Sequence, residues 1–305
     1  MLGDNARGAL LMLGSMAAFT INDTALKILS SDIPLFQTIA LRGAGTTVLL
    51  ALLAWALGQW RQLRLAGRDR SLIALRVAAE IVAAFTFIGA LFHMDLANAT
   101  AILQAVPLAV TLAGAAFLGE PVGWKRLSAI VVGFFGVLLM VRPGTEGFTV
   151  HSLLCLAAVG AVTVRDLCTR RLGAAVPSMV VATLTAGGVG LAAALAATVS
   201  GGWAPMEPGA IGILAGASAA ILFGYVFSIL AMRVGEIAVV APMRYSSLLW
   251  ALGLGWFVFG DWPRPLTLAG AAIVVTMGVF TFYRERALTS AAGSGPQEVL
   301  IRPRT

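Results

Sequence analysis

Long apolar runs alternate with short polar connections along most of the chain. The runs are Ala9–Ile28, Phe36–Trp55, Leu72–Phe92, Ala97–Leu118, Leu127–Val141, Leu153–Thr169, Met179–Val199, Ile211–Met232, Ile237–Phe259 and Leu266–Phe282. Each is near the roughly 20 residues a helix needs to cross a hydrocarbon core of about 30 Å. The pattern predicts an all-α polytopic membrane protein with ten transmembrane helices. The sixth run is the least regular, since its apolar stretch stops at Val164, before Arg165 and Asp166. It is kept as a span because an internal repeat requires it.

Three matches recur in order. Asn22-Asp23-Thr24-Ala25-Leu26-Lys27 in the first run parallels Arg165-Asp166-Leu167-Cys168-Thr169-Arg170 in the sixth. Phe117-Leu118-Gly119-Glu120-Pro121 parallels Phe259-Gly260-Asp261-Trp262-Pro263 with one shift, and the Leu127–Val137 stretch parallels Leu268–Val279. The offset stays at 141 to 143 residues. Five spans per copy is an odd number, so the second copy is expected upside down relative to the first. Such inverted repeats are a transporter architecture with the binding site near mid-membrane, where the copies meet. The predicted organisation is a first repeat over 1–147, a second over 148–288, and a disordered cytoplasmic tail over 289–305.

Charge placement orients the spans. Arg7, then Arg61, Arg64, Arg68, Arg70 and Arg76, then Lys125 and Arg126 belong to one side. So do Arg165, Arg170, Arg171, Arg233, Arg284, Arg286, Arg302 and Arg304; the other side has only Lys27, Arg142 and Arg264. Lysine and arginine concentrate on the cytoplasmic side, so both termini are expected there, with the spans in a bacterial inner membrane. The net charge of +7 then follows from orientation and implies no nucleic-acid partner. Composition agrees: 59% of residues are hydrophobic and 11% charged, against about 25% charged in soluble domains, and the mean hydropathy is +0.91. The first run lacks a small-residue cleavage pattern and reads as a retained helix. Cys155 and Cys168 are thirteen residues apart on one run, about 20 Å along a helix, too far for a disulfide.

Chemistry is confined to a few polar residues inside the runs. The ninth run holds Pro242 and, two residues later, Arg244. Lipid tolerates neither a freed backbone carbonyl nor a bare charge, so this segment should wall a polar cavity. Arg244 would receive a carboxylate, carbonyl or phosphate, and Tyr245 would hydrogen-bond or stack. Gln104, which aligns with Tyr245 at the 141 offset, is a further substrate ligand, with Tyr225 in the eighth run. Trp250 shares the Arg244 helix about 120° away from it and is kept as a weaker binding candidate, its packing role being the stronger reading. Asp23, Arg42, Glu80 and Asp166 are candidates for proton coupling or gating. The bland alternatives are local: an Asp23–Lys27 pair at i, i+4, and a Glu80–Arg76 pair one turn apart. His93 and His151 are expected on the outer side as loop residues. No phosphate-binding loop, His-Glu-x-x-His or Cys-x-x-Cys motif occurs, and no nucleophile–base pair stands out. No cofactor, metal or enzymatic reaction is expected.

The ten spans, the five-plus-five repeat and the Gly-Glu/Asp-x-Pro-like corners resemble the drug/metabolite transporter superfamily, and its EamA-type family in particular. The segments Asn22-Asp23, Arg42, Val164-Arg165-Asp166 and Val240–Tyr245 are similar to a subgroup that includes bacterial S-adenosylmethionine and riboflavin importers. The resemblance implies ten helices around a central cavity and alternating access. It implies a secondary transporter of a vitamin- or nucleoside-like metabolite, with export of amino acids or toxic metabolites as the alternative, and a channel or membrane enzyme well behind. The expected partners are a small-molecule substrate, the lipid bilayer and protons, with the chain as monomer or homodimer.

Overall fold

The computed structural model describes residues 3–62, 67–119, 123–142, 149–173 and 175–293. Its elements are α1 (Asp4–Ile28), α2 (Leu35–Ala56), α3 (Gly67–Leu91), α4 (Leu96–Leu103), α5 (Val106–Leu118), α6 (Trp124–Val141) and α7 (Val150–Arg171). There follow α8 (Ser178–Val199), α9 (Pro208–Val234), α10 (Ile237–Val240), α11 (Ser246–Leu254) and α12 (Pro265–Gly293). No strand occurs among the described residues. Among the described residues eight helical segments are long and apolar enough to cross a membrane, α4 and α5 counting as one, and the apolar part of α12, Pro265–Thr281, is shorter.

The remaining run, Ile237–Phe259, is helical but broken. It passes from α10 through a 3₁₀ stretch at Ala241–Tyr245 into α11, and ends in a π turn at Gly255–Phe259. Pro242 lies at the start of the 3₁₀ stretch; without an N–H it cannot carry an i→i−4 bond, so the backbone tightens there. A milder interruption separates α4 from α5. Gln104 N is shared between Thr100 O and Ala101 O at 3.2 Å each, just before Pro107 restarts the helix. The sixth run is a full helix despite its charges, with Thr149 capping α7 by accepting from Ser152 N.

Small residues bring the helices together and large ones face outward. Phe257 is 78% exposed and Phe117 72%, an inversion of the soluble pattern that only lipid accommodates. The closest pairs are α1 with α9, α2 with α8, α3 with α7, and α6 with α12. Ser15 Oγ donates to Gly224 O at 2.7 Å between α1 and α9. Between α2 and α8, a Cβ built on Gly43 would lie 2.7 Å from the Gly190 Cα, so the two backbones touch directly. Gly119 after α5 and Gly260 after the π turn both adopt left-handed φ, 68° and 71°, so the chain turns alike at both corners. Glu120 and Pro121 of the first corner lie outside the described residues, as do 294–305 of the expected tail; α12 carries residues 289–293.

Gly43→Ala should therefore lower the melting temperature in detergent, because the clash is with backbone and no side-chain rotation relieves it; overpacking of this kind costs about 1–3 kcal/mol. Gly216→Ala, where a Cβ meets open space, should raise it slightly. Thermal unfolding of both variants checks the pair; equal effects would contradict the Gly43–Gly190 contact.

Candidate functional site

The membrane interior holds an unusual density of charge. Arg165 on α7 donates to Glu80 Oε2 on α3 at 3.0 Å and to Asp166 Oδ1 beside it at 2.8 Å. All three side chains are about one-fifth exposed, at 21%, 20% and 23%. A guanidinium forked between two carboxylates is a strong arrangement away from bulk water. One turn before Glu80, Arg76 is 9% exposed; its Nε donates to Thr169 Oγ1 at 2.9 Å and its Nη1 to Thr185 Oγ1. Arg76 thereby joins α3 to both α7 and α8.

Arg244, on the 3₁₀ stretch, is exposed and lies within electrostatic reach of Asp166, Arg165 and Tyr245. Among the described residues no carboxylate pairs with it within 4 Å. Asp166, its oxygen already shared with Arg165, is the anion nearest to balancing it. The arrangement is an accessible cation beside an occupied acid.

A second group lies higher, on α1 and α2. Asp23 accepts from Asn22 Nδ2 at 2.9 Å and faces Arg42 electrostatically. Arg42 also senses Tyr225 and Glu80, and its buried Nε finds no acceptor among the described residues. Tyr225 on α9 connects the groups, with Glu80, Arg165, Arg76 and Arg42 all in its field. Phe19 of α1 meets its ring edge-on, centroids 5.6 Å apart. Across the whole centre, three carboxylates (Asp23, Glu80, Asp166) face four guanidiniums (Arg42, Arg76, Arg165, Arg244).

The break itself is stitched by Gln104, whose Nε2 donates to Tyr245 O at 3.2 Å and Ser247 Oγ at 2.8 Å. The two residues aligned by the repeat thus touch each other. Tyr245 points the other way: its ring lies on α12 at Gly278, where any Cβ would collide with the phenol oxygen, and that buried oxygen has no partner. Trp250, 43% exposed, sits beside the outward Leu249 on α11. The fold therefore gathers Asp23, Arg42, Glu80, Tyr225, Asp166 and Arg244 into one chain of charges, sets Gln104 and Tyr245 at its edge, and leaves Trp250 apart.

Both local ion pairs considered from spacing give way to longer-range partners. Glu80 takes Arg165 rather than Arg76. Lys27 turns away from Asp23, its Nζ donating to Met94 O at 2.7 Å and Leu91 O at 3.5 Å and standing 5.3 Å over the Phe259 ring. Nearby, Asp95 accepts from Asn98 at 2.7 Å and lies in the field of Asp261, Lys27 and Arg264. Burial, then Asp261, push the Asp95 carboxyl above its ordinary range. At the same end His93 and His151 stack, centroids 4.4 Å apart. Arg76 and Lys27, which spacing offered as local partners of Glu80 and Asp23, instead shape the site through Thr169 and Thr185 and through the Met94 carbonyl.

Residues 6–142 match the EamA-like transporter family. The S-adenosylmethionine uptake transporter of Rickettsia felis is 25% identical over 192 residues, 62% of this chain and 64% of that protein; the match thus spans under two thirds of the relative. The pseudopaline exporter CntI of Pseudomonas aeruginosa is 25% identical over 276 residues, 88% of this chain and 93% of the exporter. A riboflavin transporter of Brucella anthropi is 25% identical over 224 residues, 72% and 78% of the two chains. A solved structure described only as "Crystal structure of protein" superposes with a TM-score of 0.65 at 18% identity, covering 91% of this chain and 97% of its own, a likeness of fold alone. The chain is a helical membrane protein whose residues 6–142, a little under half of its length, match the EamA-like transporter family of the drug/metabolite transporter superfamily.

Proposed function

We propose that the chain is a secondary transporter of a small organic metabolite, rocking two inverted five-helix halves, 1–147 and 148–288, around the charged centre. Both termini lie in the cytoplasm and the spans cross a bacterial inner membrane. The helix pairing supports the two halves. If α1, α2, α3 and α6 correspond to α7, α8, α9 and α12, exchanging them turns α1–α9 into α7–α3 and leaves α2–α8 and α6–α12 unchanged. The matching left-handed corners at Gly119 and Gly260 and the Gln104–Tyr245 bond fit the same exchange.

One observation carries the binding reading: Arg244 is an accessible guanidinium, inside a span, whose nearest acid is already held by Arg165. It binds a carboxylate, carbonyl or phosphate of the substrate, with Tyr225 and Gln104 supplying hydrogen bonds beside it. Asp23 and Arg42 or Glu80 and Asp166 would exchange partners as substrate or protons pass. The names of the relatives support a vitamin- or nucleoside-like cargo such as riboflavin or S-adenosylmethionine. Export is a second reading, favoured by the exporter's alignment over 93% of its own length. The outer end is closed by Lys27, which ties α1 to the α3–α4 connection and to Phe259 of the second half. Asp95 and Asp261 face each other across the same closure.

Arg244→Ala should weaken binding of a carboxylate- or phosphate-bearing cargo, such as S-adenosylmethionine through its carboxylate, by about 10- to 100-fold, the loss of a charge-assisted bond of roughly 1.5–3 kcal/mol. Arg244→Lys should recover only part of it, an ammonium lacking the planar fork. Calorimetric titration of folded protein measures this, and wild-type affinity in Arg244→Ala would sink the proposed site.

The outer closure should respond to pH. Asp95 is raised in the closed form, so between the ordinary carboxylate value and the raised one the closed form binds a proton that a water-filled open form releases. Acidification through that window favours closure, and the advantage fades as pH rises above it. Spin labels at Ser31→Cys and Trp262→Cys, with Cys155 and Cys168 changed to alanine, should report a shorter distance at the acidic end. Asp95→Asn should flatten the dependence; an unchanged pH response in that variant would refute the role of Asp95.

A further inference from the structure

The outward face of α3 carries a groove that the transport reading does not use. Arg70, Ile73, Val77 and Ile81 line it, spaced three and four residues apart along one face, with Leu184 of α8 as the opposite wall. Ala74 and Ala78 widen its middle. Arg70 to Ile81 covers eleven residues, about 16 Å at 1.5 Å per residue, close to one leaflet's share of a core of about 30 Å. The groove is apolar along its length and ends in a guanidinium. The inward positions of α3 are spoken for: Arg76 holds Thr169 and Thr185, and Glu80 holds Arg165.

Charge selects the occupant. The connection before α3 and the first turn of α3 together contain Arg61, Arg64, Arg68 and Arg70 with Asp69 as their one carboxylate, and Asp69 Oδ1 is turned to Gly173 N at 3.3 Å. Among the described residues no carboxylate pairs with exposed Arg70. We propose that the α3–α8 groove binds one anionic diacyl phospholipid of the arginine-rich leaflet, its phosphate on Arg70 and an acyl chain along Ile73, Val77 and Ile81. A groove of the same build runs between α6 and α12 from Lys125 and Trp124 to Met277, where Lys125 Nζ stands 5.6 Å over the Trp124 ring. Because α3 and α8 belong to different halves in the transport reading, the lipid would act as a wedge in a moving seam. The binding itself does not depend on that reading.

Native mass spectrometry of the full chain, titrated with phosphatidylglycerol or phosphatidylcholine, tests this. The wild type should retain phosphatidylglycerol preferentially. Arg70→Gln should bind it about fivefold more weakly, as expected for one basic residue near an anionic surface at about 1 kcal/mol. Ala78→Phe, which fills the groove at an outward position, should lose the adduct while melting like the wild type in lipid-free detergent. Equal retention of both lipids by the wild type would overturn the proposal, as would unchanged phosphatidylglycerol binding in both variants. A dimer that Ala78→Phe dissociates would also overturn it, the groove then being a contact between two copies of the chain.

Discussion

Everything near the centre of this protein follows from the cost of an ionised group inside a bilayer. Arg165 meets that cost with two carboxylates, Glu80 from α3 and Asp166 from its own helix. The bond fixes how α3 lies on α7, and the Arg76 bonds to Thr169 and Thr185 extend the constraint to α8. With those acids engaged, Arg244 remains without a carboxylate within 4 Å among the described residues. A site of this kind stays at rest only while water or a bound anion serves it, which is a physical reason for a carrier to bind its cargo there.

The second constraint is backbone satisfaction. Two interrupted spans, one at Gln104 and one at Pro242–Tyr245, would expose carbonyls to lipid if they stood on the perimeter. They meet each other instead, and the Gln104 amide bonds the Tyr245 carbonyl where the break passes into α11. The pairs that surround this junction touch through glycine and serine, as at Gly43–Gly190 and Ser15–Gly224. Smooth contacts of that sort let helices slide with little interlocking, whereas the polar junction holds them in register.

Much of this was legible in the chain. Each apolar run lies on helix, and the break in the ninth follows from Pro242, because a missing N–H acts locally. The weak sixth run is a helix because α3 supplies Glu80 for Arg165, a partner 85 positions away that hydropathy does not register. The same blindness explains the two local ion pairs that do not form. Spacing of i, i+4 says that Asp23 could meet Lys27, or Glu80 meet Arg76; it is silent on the Met94 carbonyl and the Arg165 guanidinium that compete for them. Tyr245 illustrates the limit for the site: its number along the helix put it beside Arg244, but the gap at Gly278 draws the ring toward α12. The stack of His93 on His151 likewise depends on how α3 and α7 end side by side.

The account rests on one claim, that the junction beside Arg244 is reached by water alternately from the two faces of the membrane. Ser247, whose Oγ donates to Arg244 O at 3.1 Å, marks that place. The most direct measurement is the labelling of Ser247→Cys, with Cys155 and Cys168 changed to alanine, by a membrane-impermeant maleimide applied to either face of reconstituted vesicles. Alternating access predicts reaction from both faces, with Lys27→Met accelerating it from the outer face alone. Labelling confined to one face, whether Lys27 is kept or replaced, would contradict it.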